Sequence, residues 1–510
     1  MTAPLRNHPT LRTLLLCALY AFVLLFFLSP DSYLRDLYGH FDSAIFFMCG
    51  KAWMNGLTPY VDFADSKGPL LWLIYGLGYL LNHHSYVGVF WISILFYTAT
   101  LYIAYKLSRL FLEPRPAALC VAILPLALFF YYWHFEIHAE DFCYTFVMYS
   151  LYALCKVIKE ENLPRSTYMW LCVGMGISFM ACLLIKWNIA GMIGSTMLCV
   201  FILSFKHKAW ALCIGGMAAG AIVLALPFVV YFLAFADFGA MIQENFVNTF
   251  LTMNGRSSVL DVLTFDRQML IKEKLTIALL VGMAIFTWQY KRYFWLLLCF
   301  LIFRIGIGAG DLGHYYTILM PYALCFLIAA AAFIFSKLPQ LERWMPLWCV
   351  LAAVLAVACN VWHVNDVLCK PDAQRQAYYS AVYVMSQVEK PKVFWCTSIE
   401  GGFGAPVDAL PACRYWTKQK GATEEMLAER DEVMRKGIPD FFLLYIWSTP
   451  EESMEYPILT ALGYEQYVVI EHLYGDLNFT LYGRPGLKLP PPDFHVSQWD
   501  VWLKRNIFGI

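Results

Sequence analysis

PLLWLIYGLGYLLN, residues 69–82, is the stretch on which the fold turns. It starts at Pro69, carries Gly76 and Gly78, and runs into His83 and His84. A membrane-spanning helix needs about 20 mostly apolar residues, and this run falls short. Eleven other apolar stretches qualify as spans: 13–29, 87–107, 116–133, 141–158, 168–185, 188–205, 209–235, 274–290, 293–309, 316–336 and 344–362. If 69–82 does not cross, the basic clusters Lys106/Arg109/Arg115, Lys156/Lys159/Arg165, Lys206/Lys208, Lys291/Arg292 and Lys337/Arg343 share a side with Arg6 and Arg12. If it crosses, every one of those later clusters changes side. Lys and Arg concentrate in cytoplasmic loops, so 69–82 reads as a juxtamembrane helix on the outer side. The N-terminus is then cytoplasmic and the C-terminal region extracytoplasmic.

Composition agrees with a polytopic α-helical membrane protein. The 510 residues are 60% hydrophobic and 15% charged, against roughly 25% charged in an ordinary soluble domain. Long apolar runs alternate with short charged clusters, which excludes a soluble globular, disordered or fibrous chain. Net charge is +0 and no basic domain stands out, which argues against a nucleic-acid partner. Arg6 and Arg12 ahead of 13–29 resemble a signal peptide, but Pro30 and Asp31 follow where a small-residue cleavage site would stand, so this is a retained first span. Most of the sixteen Cys, such as Cys17, Cys120, Cys199 and Cys299, lie in apolar runs as small hydrophobes, and no zinc spacing occurs. Cys396 and Cys413 sit in the polar tail, where a disulfide and two unrelated thiols are both open. In that tail, runs near 392–396, 440–446, 466–470 and 478–482 read as strands and 422–437 as a helix. The expected organisation is a membrane module, 1–365, and a small extracytoplasmic α/β domain, 366–510.

On this topology the connections 30–68, 134–140 and about 236–273 face outward. The first contains GHFDSAIFFMCGKAWMNGLTPYVDFADSKGPLLW, residues 39–72. Asp42 opens an expected amphipathic helix over 43–55, stopped by Gly56 and Pro59 and lying on the membrane surface. Asp62, Asp65, Lys67, Gly68 and Pro69 follow in an extended stretch. The second turn packs His134, Glu136, His138, Glu140 and Asp141 together. That density of carboxylate and imidazole could hold a divalent cation, although the spacing matches no specific ligand set. Lys186 follows a span at the outer interface and could snorkel or bind a lipid phosphate. Arg304 lies deeper, and an intramembrane Arg is a functional hypothesis by default. Asp311, His314, Tyr315 and Tyr316 come one short loop later.

These residues carry a resemblance. D-S-x-I-F…G-K-A-W-x-x-G-x-x-P-Y-x-D-F-x-D-x-K-G-P-L in the first loop resembles the GT-C superfamily of polyprenyl-phosphate-sugar-dependent glycosyltransferases, and among them the bacterial relatives of protein O-mannosyltransferases and lipid A aminoarabinose transferases. Asp42 matches the acidic residue of the first outer helix, and Lys67-Gly68-Pro69 the Lys/Pro motif, with Gly where relatives often carry Pro. Glu140-Asp141 fits the second acidic site, and Lys186 a Lys in the span after it. HYYTILMP, 314–321, is similar to an aromatic–Pro motif opening a late span. The likeness covers about 10–365. Some relatives have adjacent Asp-Glu at the first acidic site where this chain has Asp42-Ser43, which leaves a metal open.

The resemblance implies a GT-C-like fold of about eleven spans with outer juxtamembrane helices. It implies an inverting transferase that moves a sugar from a polyprenyl-phosphate donor to a lipid, polysaccharide or protein acceptor at the outer face of a bacterial inner membrane. A general base and cations for the departing phosphate are then required. Asp42 is the expected base, since an Asp of ordinary pKa, about 3.9, is ionised at neutral pH. Glu140 or Asp141 would orient the acceptor or a cation. Lys67, Lys186 and Arg304 are the phosphate candidates. Asp62, Asp65, His138, His314, Tyr315 and Tyr316 are the substrate-binding candidates. A flippase or transporter of lipid-linked glycans, or a glycan polymerase or ligase, is the alternative; transporters place polar residues near the midplane in repeats, which this chain lacks.

Overall fold

The computed structural model describes residues 9–29, 31–34, 41–126, 139–248, 274–307, 313–368, 372–396, 402–417, 423–446, 455–474 and 477–487. In chain order the helices are α1 (Pro9–Leu28), α2 (Phe41–Met54), α3 (Pro69–Leu81), α4 (Val87–Ser108), α5 (Pro114–Ile123), α6 (Ala139–Lys159), α7 (Arg165–Ile185), α8 (Trp187–Lys206), α9 (Trp210–Phe235), α10 (Phe238–Ile242), α11 (Lys274–Gln289), α12 (Phe294–Ile307), α13 (Ala323–Lys337), α14 (Met345–Leu368), α15 (Asp372–Ser386), α16 (Glu424–Arg435) and α17 (Tyr456–Ala461). Among the described residues, eight helical stretches are long and apolar enough to cross a membrane, and Pro69–Leu81, Pro114–Leu126 and Ile277–Gln289 are shorter apolar helices. The expected spans 116–133 and 293–309 run on into residues outside the described ones. The 13 residues of α3 make about 20 Å at 1.5 Å each, well under a hydrocarbon core of about 30 Å. By length alone α3 falls short of a span.

The chain divides into two compact units. The first comprises 1–28, 93–231 and 253–363. Here α6, α7 and α8 pack on one another, and α12 packs on α8. Helices α7 and α9 cross on glycine. A Cβ at Gly220 would strike the Val173 carbonyl, and one at Gly176 the Met217 carbonyl. Small residues let helix backbones approach closely where lipid supplies no hydrophobic drive between them.

The second unit gathers 29–92, 232–252 and 364–510. Its tail forms a mixed five-stranded sheet from β1 (Lys392–Trp395), β2 (Leu410–Pro411), β3 (Phe441–Ile446), β4 (Glu465–Tyr474) and β5 (Leu477–Gly483). The order is β2-β1-β3-β5-β4. The β1 strand runs parallel to β2 and β3, while β5 is antiparallel to β3 and β4. Phe394, Cys396, Phe442, Leu444 and Tyr482 point into a core closed by Met434 of α16 and Leu459 of α17. Cys413 packs against that core, and both it and Cys396 are free thiols. The four expected strands and the helix are found where the alternation put them.

One expectation is corrected. Helix α2 exists, but residues 43–52 are all buried, so it is not an amphipathic surface helix. Lys51, a charged residue within it, is 1% exposed. Its ammonium donates to the Gly404 carbonyl at 3.0 Å and to that of Val407. On the other side α2 meets α3 through Gly50, where a Cβ would lie 2.7 Å from the Trp72 carbonyl. Backbone acceptors from the tail replace water around the charge, which is the condition for burying it.

Candidate functional site

In the second unit the site is the loop that joins α2 to α3. Gly56 ends α2 at φ +89°, a backbone that favours glycine. Asp62 does not stand free: its carboxylate accepts the Thr58 N–H at 2.7 Å and closes the turn. Tyr60 takes a left-handed φ of 63° although it is bulky and fully buried. Such a conformation persists only where the surroundings over-determine it. Here the Tyr60 N–H bonds the Phe63 carbonyl at 2.7 Å, its ring lies 4.5 Å from Trp72, and its hydroxyl donates to the Lys67 carbonyl at 2.9 Å.

Asp42, Asp65 and Lys67 come together on this framework. Asp42 lies in the first turn of α2 and is partly exposed. Asp65 accepts from the backbone N–H groups of Ser66 and Lys67, yet its Oδ2 is shut from solvent without a partner. Burial holds the Asp65 carboxyl above its ordinary range; the Lys67 ammonium offsets part of this, and the Asp42 carboxylate adds to it. The Lys67 ammonium donates to Ser66 Oγ at 3.1 Å and lies 5.5 Å over the Phe46 ring. Gly68 then caps α3 in extended conformation, with Pro69 in its first turn. A cation thus stands beside the positive end of a helix dipole, a pairing that suits a phosphate.

Behind the loop lies a group that sequence reading missed. The Ala64 N–H donates to the Arg414 carbonyl at 2.8 Å. The Arg414 guanidinium pairs with Glu244, and the Tyr415 hydroxyl donates to the same Glu244 oxygen at 2.6 Å. Glu244 is 5% exposed and sits in a π-helical turn, Gln243–Asn248. No motif links residues 170 positions apart; the available signal was a lone Glu beside an apolar run.

In the first unit the structure brings Glu140 and Lys186 into a buried ion pair, with side chains 5% and 9% exposed. Lys186 is the extended residue between α7 and α8, so the break between two helices aims it at α6. Asp141 is buried and accepts the Tyr97 hydroxyl at 3.0 Å. Tyr97 also lines a small, partly open apolar pocket with Leu24, Leu101, Leu124, Tyr144 and Met320. Arg304 lies on α12, and His314, Tyr315 and Tyr316 lie on a 3₁₀ helix, Gly313–Tyr322. His138 falls outside the described residues, as do Glu136 and Asp311. Among the described residues no group of three or more His, Cys, Asp or Glu side chains could hold a metal ion.

Residues 66–233 match the family described as dolichyl-phosphate-mannose-protein mannosyltransferase. No curated protein matches the sequence. Among solved structures, ArnT from Cupriavidus metallidurans bound to undecaprenyl phosphate is similar at a TM-score of 0.62 and 11% identity, covering 94% of this chain and 99% of that one. Its apo state is similar at 0.54 and 11%, covering 94% and 98%. The GT-C-like architecture expected from the first-loop motif is therefore the fold of the chain.

Proposed function

We propose that the chain is a membrane glycosyltransferase that takes a sugar from a polyprenyl-phosphate donor and passes it, with inversion, to a cell-envelope acceptor. The observation that carries the reading is the gathering of Asp42, Asp65 and Lys67 on one loop, in a chain with the fold of a protein solved with undecaprenyl phosphate. The acceptor hydroxyl attacks the anomeric carbon from the face opposite the phosphate. The new C–O bond forms as the anomeric C–O(phosphate) bond breaks. Asp42 takes the hydroxyl proton, and the lipid phosphate leaves with the bonding pair. Lys67, at the dipole end of α3, meets the charge that grows on that phosphate.

The pairing in the first unit refines the remaining roles. Glu140 is neutralised by Lys186, so Asp141, held by Tyr97, is the stronger choice for orienting the acceptor. Lys186 and Arg304 stay as phosphate candidates. The described side chains offer no ligand set for a divalent cation, and no step runs through one. The reading places the chemistry at the outer face from the distribution of Lys and Arg, and in a bacterial inner membrane from the family likeness and the short loops.

The test is transfer of label from polyprenyl-phosphate sugars by the purified protein in nanodiscs supplied with envelope lipid and glycan extract. Asp42→Asn should lower turnover by about 10²–10⁴-fold, the usual contribution of a positioned base. Undiminished transfer by that variant would take the base role from Asp42. Movement of labelled lipid across the bilayer without transfer would replace the reading with a flippase.

A further inference from the structure

Arg414 stands where three segments of the second unit meet. Its carbonyl holds the Ala64 N–H at 2.8 Å, three residues before Lys67. Its guanidinium contacts both Glu244 and the Tyr415 hydroxyl. The second oxygen of Glu244 accepts from Asn248 Nδ2 at 3.1 Å. The Tyr415 carbonyl receives the guanidinium of buried Arg430, which also donates to the Trp395 carbonyl at 2.9 Å and so fixes the segment to β1.

We propose that Arg414 and Glu244 are positioning residues that set the stance of Lys67, and through it the affinity for the lipid-phosphate donor. The inference rests on the assignment of Lys67 to the phosphate. Two observations favour positioning over plain stability. A buried ion pair is a weak source of stability, because an apolar pair of similar volume is often at least as good. What an ion pair does supply is a fixed geometry, and here that geometry is passed on by the backbone of Arg414 itself. The neighbouring Asn245 points the same way. It is fully buried, and neither its Oδ1 nor its Nδ2 has a partner. Such a group opposes folding, so stability alone does not account for this turn.

The loop between the contact and the cation is short and anchored by Tyr60. Tyr60 grips the Lys67 carbonyl from its strained backbone, and its ring lies 5.7 Å from Phe232, near the start of the segment that carries Glu244. A shift of Arg414 therefore reaches Lys67 through Ala64 with few free torsions between. This gives the tail a part in donor binding that needs no contact between tail and donor.

The experiment uses the full chain in nanodiscs, with undecaprenyl phosphate as the binding probe alongside donor kinetics. Arg414→Ala should raise donor KM and weaken undecaprenyl phosphate binding by about tenfold, with kcat changed by less than about threefold. Hydrogen exchange of a peptide covering 58–68 should quicken in the same variant. In a Lys67→Ala background, adding Arg414→Ala should cost less than about twofold more, since both act through one group. Wild-type exchange and KM in folded Arg414→Ala would overturn the proposal, as would effects of the two variants that multiply. Should Arg414→Ala fail to fold, Glu244→Gln, which keeps size but removes the charge and turns one acceptor oxygen into a donor, is judged by the same criteria. If Lys67→Ala leaves undecaprenyl phosphate binding intact, the phosphate assignment fails and the proposal with it. If Lys67→Ala weakens binding and neither Arg414→Ala nor Glu244→Gln does, positioning alone fails.

Discussion

Asp65 is a residue whose chemistry departs from its type. Burial of its carboxyl is the main cause of its raised pKa, Lys67 offsets part of it, and Asp42 pushes with burial. An unfolded chain would release that proton near the ordinary value of about 3.9. The native state keeps it to higher pH. Between the two values the native state binds the extra proton, so stability is fully present below the ordinary value and is lost as pH rises through the native one. Thermal unfolding of wild type and Asp65→Asn across that range checks this. The wild-type midpoint should fall relative to the variant as pH rises, and parallel curves would discount Asp65. At this scale the sequence disclosed the residue types of the loop and little of their partnerships. Asp62 and Asp65 look alike in VDFADSK, yet one closes a turn and the other is half-buried beside a lysine, with its Oδ2 shut from solvent. Lys186 was readable as an interfacial cation, but its pairing with Glu140 depends on a helix break that apolar periodicity does not signal.

Among the elements, the crossing of α7 and α9 is an exacting one. Gly220 faces a carbonyl of the opposing helix, while Gly191 on α8 has nothing within 4 Å of its Cβ position. Gly220→Leu should force the helices apart and cost about 1–3 kcal/mol, the range for overpacking. Gly191→Ala should be neutral or stabilise by up to about 1 kcal/mol through helix propensity. Thermal unfolding in detergent separates the two, and equal effects would mean that the crossing is not sensed. Helices and strands were legible because periodicity and span length are local. The burial of α2 was not. The helix read as apolar on one face only, and a carbonyl that covers Lys51, that of Gly404, lies 353 residues downstream. Strand β2 has two residues, too few for any alternation to show. Helix α15 packs on β4 in a stretch that the sequence reading left unassigned.

As a whole, the chain builds its second unit from discontinuous pieces. The α2–α3 hairpin and the tail share one interior: Met48 lies against Gly404, Lys51 binds the Gly404 carbonyl, and Ala64 binds Arg414. Removing 366–510 should therefore unfold the first loop as well as delete the sheet. Limited proteolysis within 41–69 reads this directly. Cleavage should be fast in the truncated chain and slow in the full one, and equal resistance would show that the hairpin folds alone.

The ammonium of Lys51 has a consequence for how the protein is made. Its acceptors do not exist until the ribosome has added more than 350 further residues. At about 5–20 residues per second, that wait is on the order of 20–70 s. For that time the nascent first loop holds a lysine among apolar side chains with no carbonyls to receive it. A late segment of the polypeptide completes an earlier one, so an interrupted or slowed translation should leave the first loop without the carbonyls that receive its lysine.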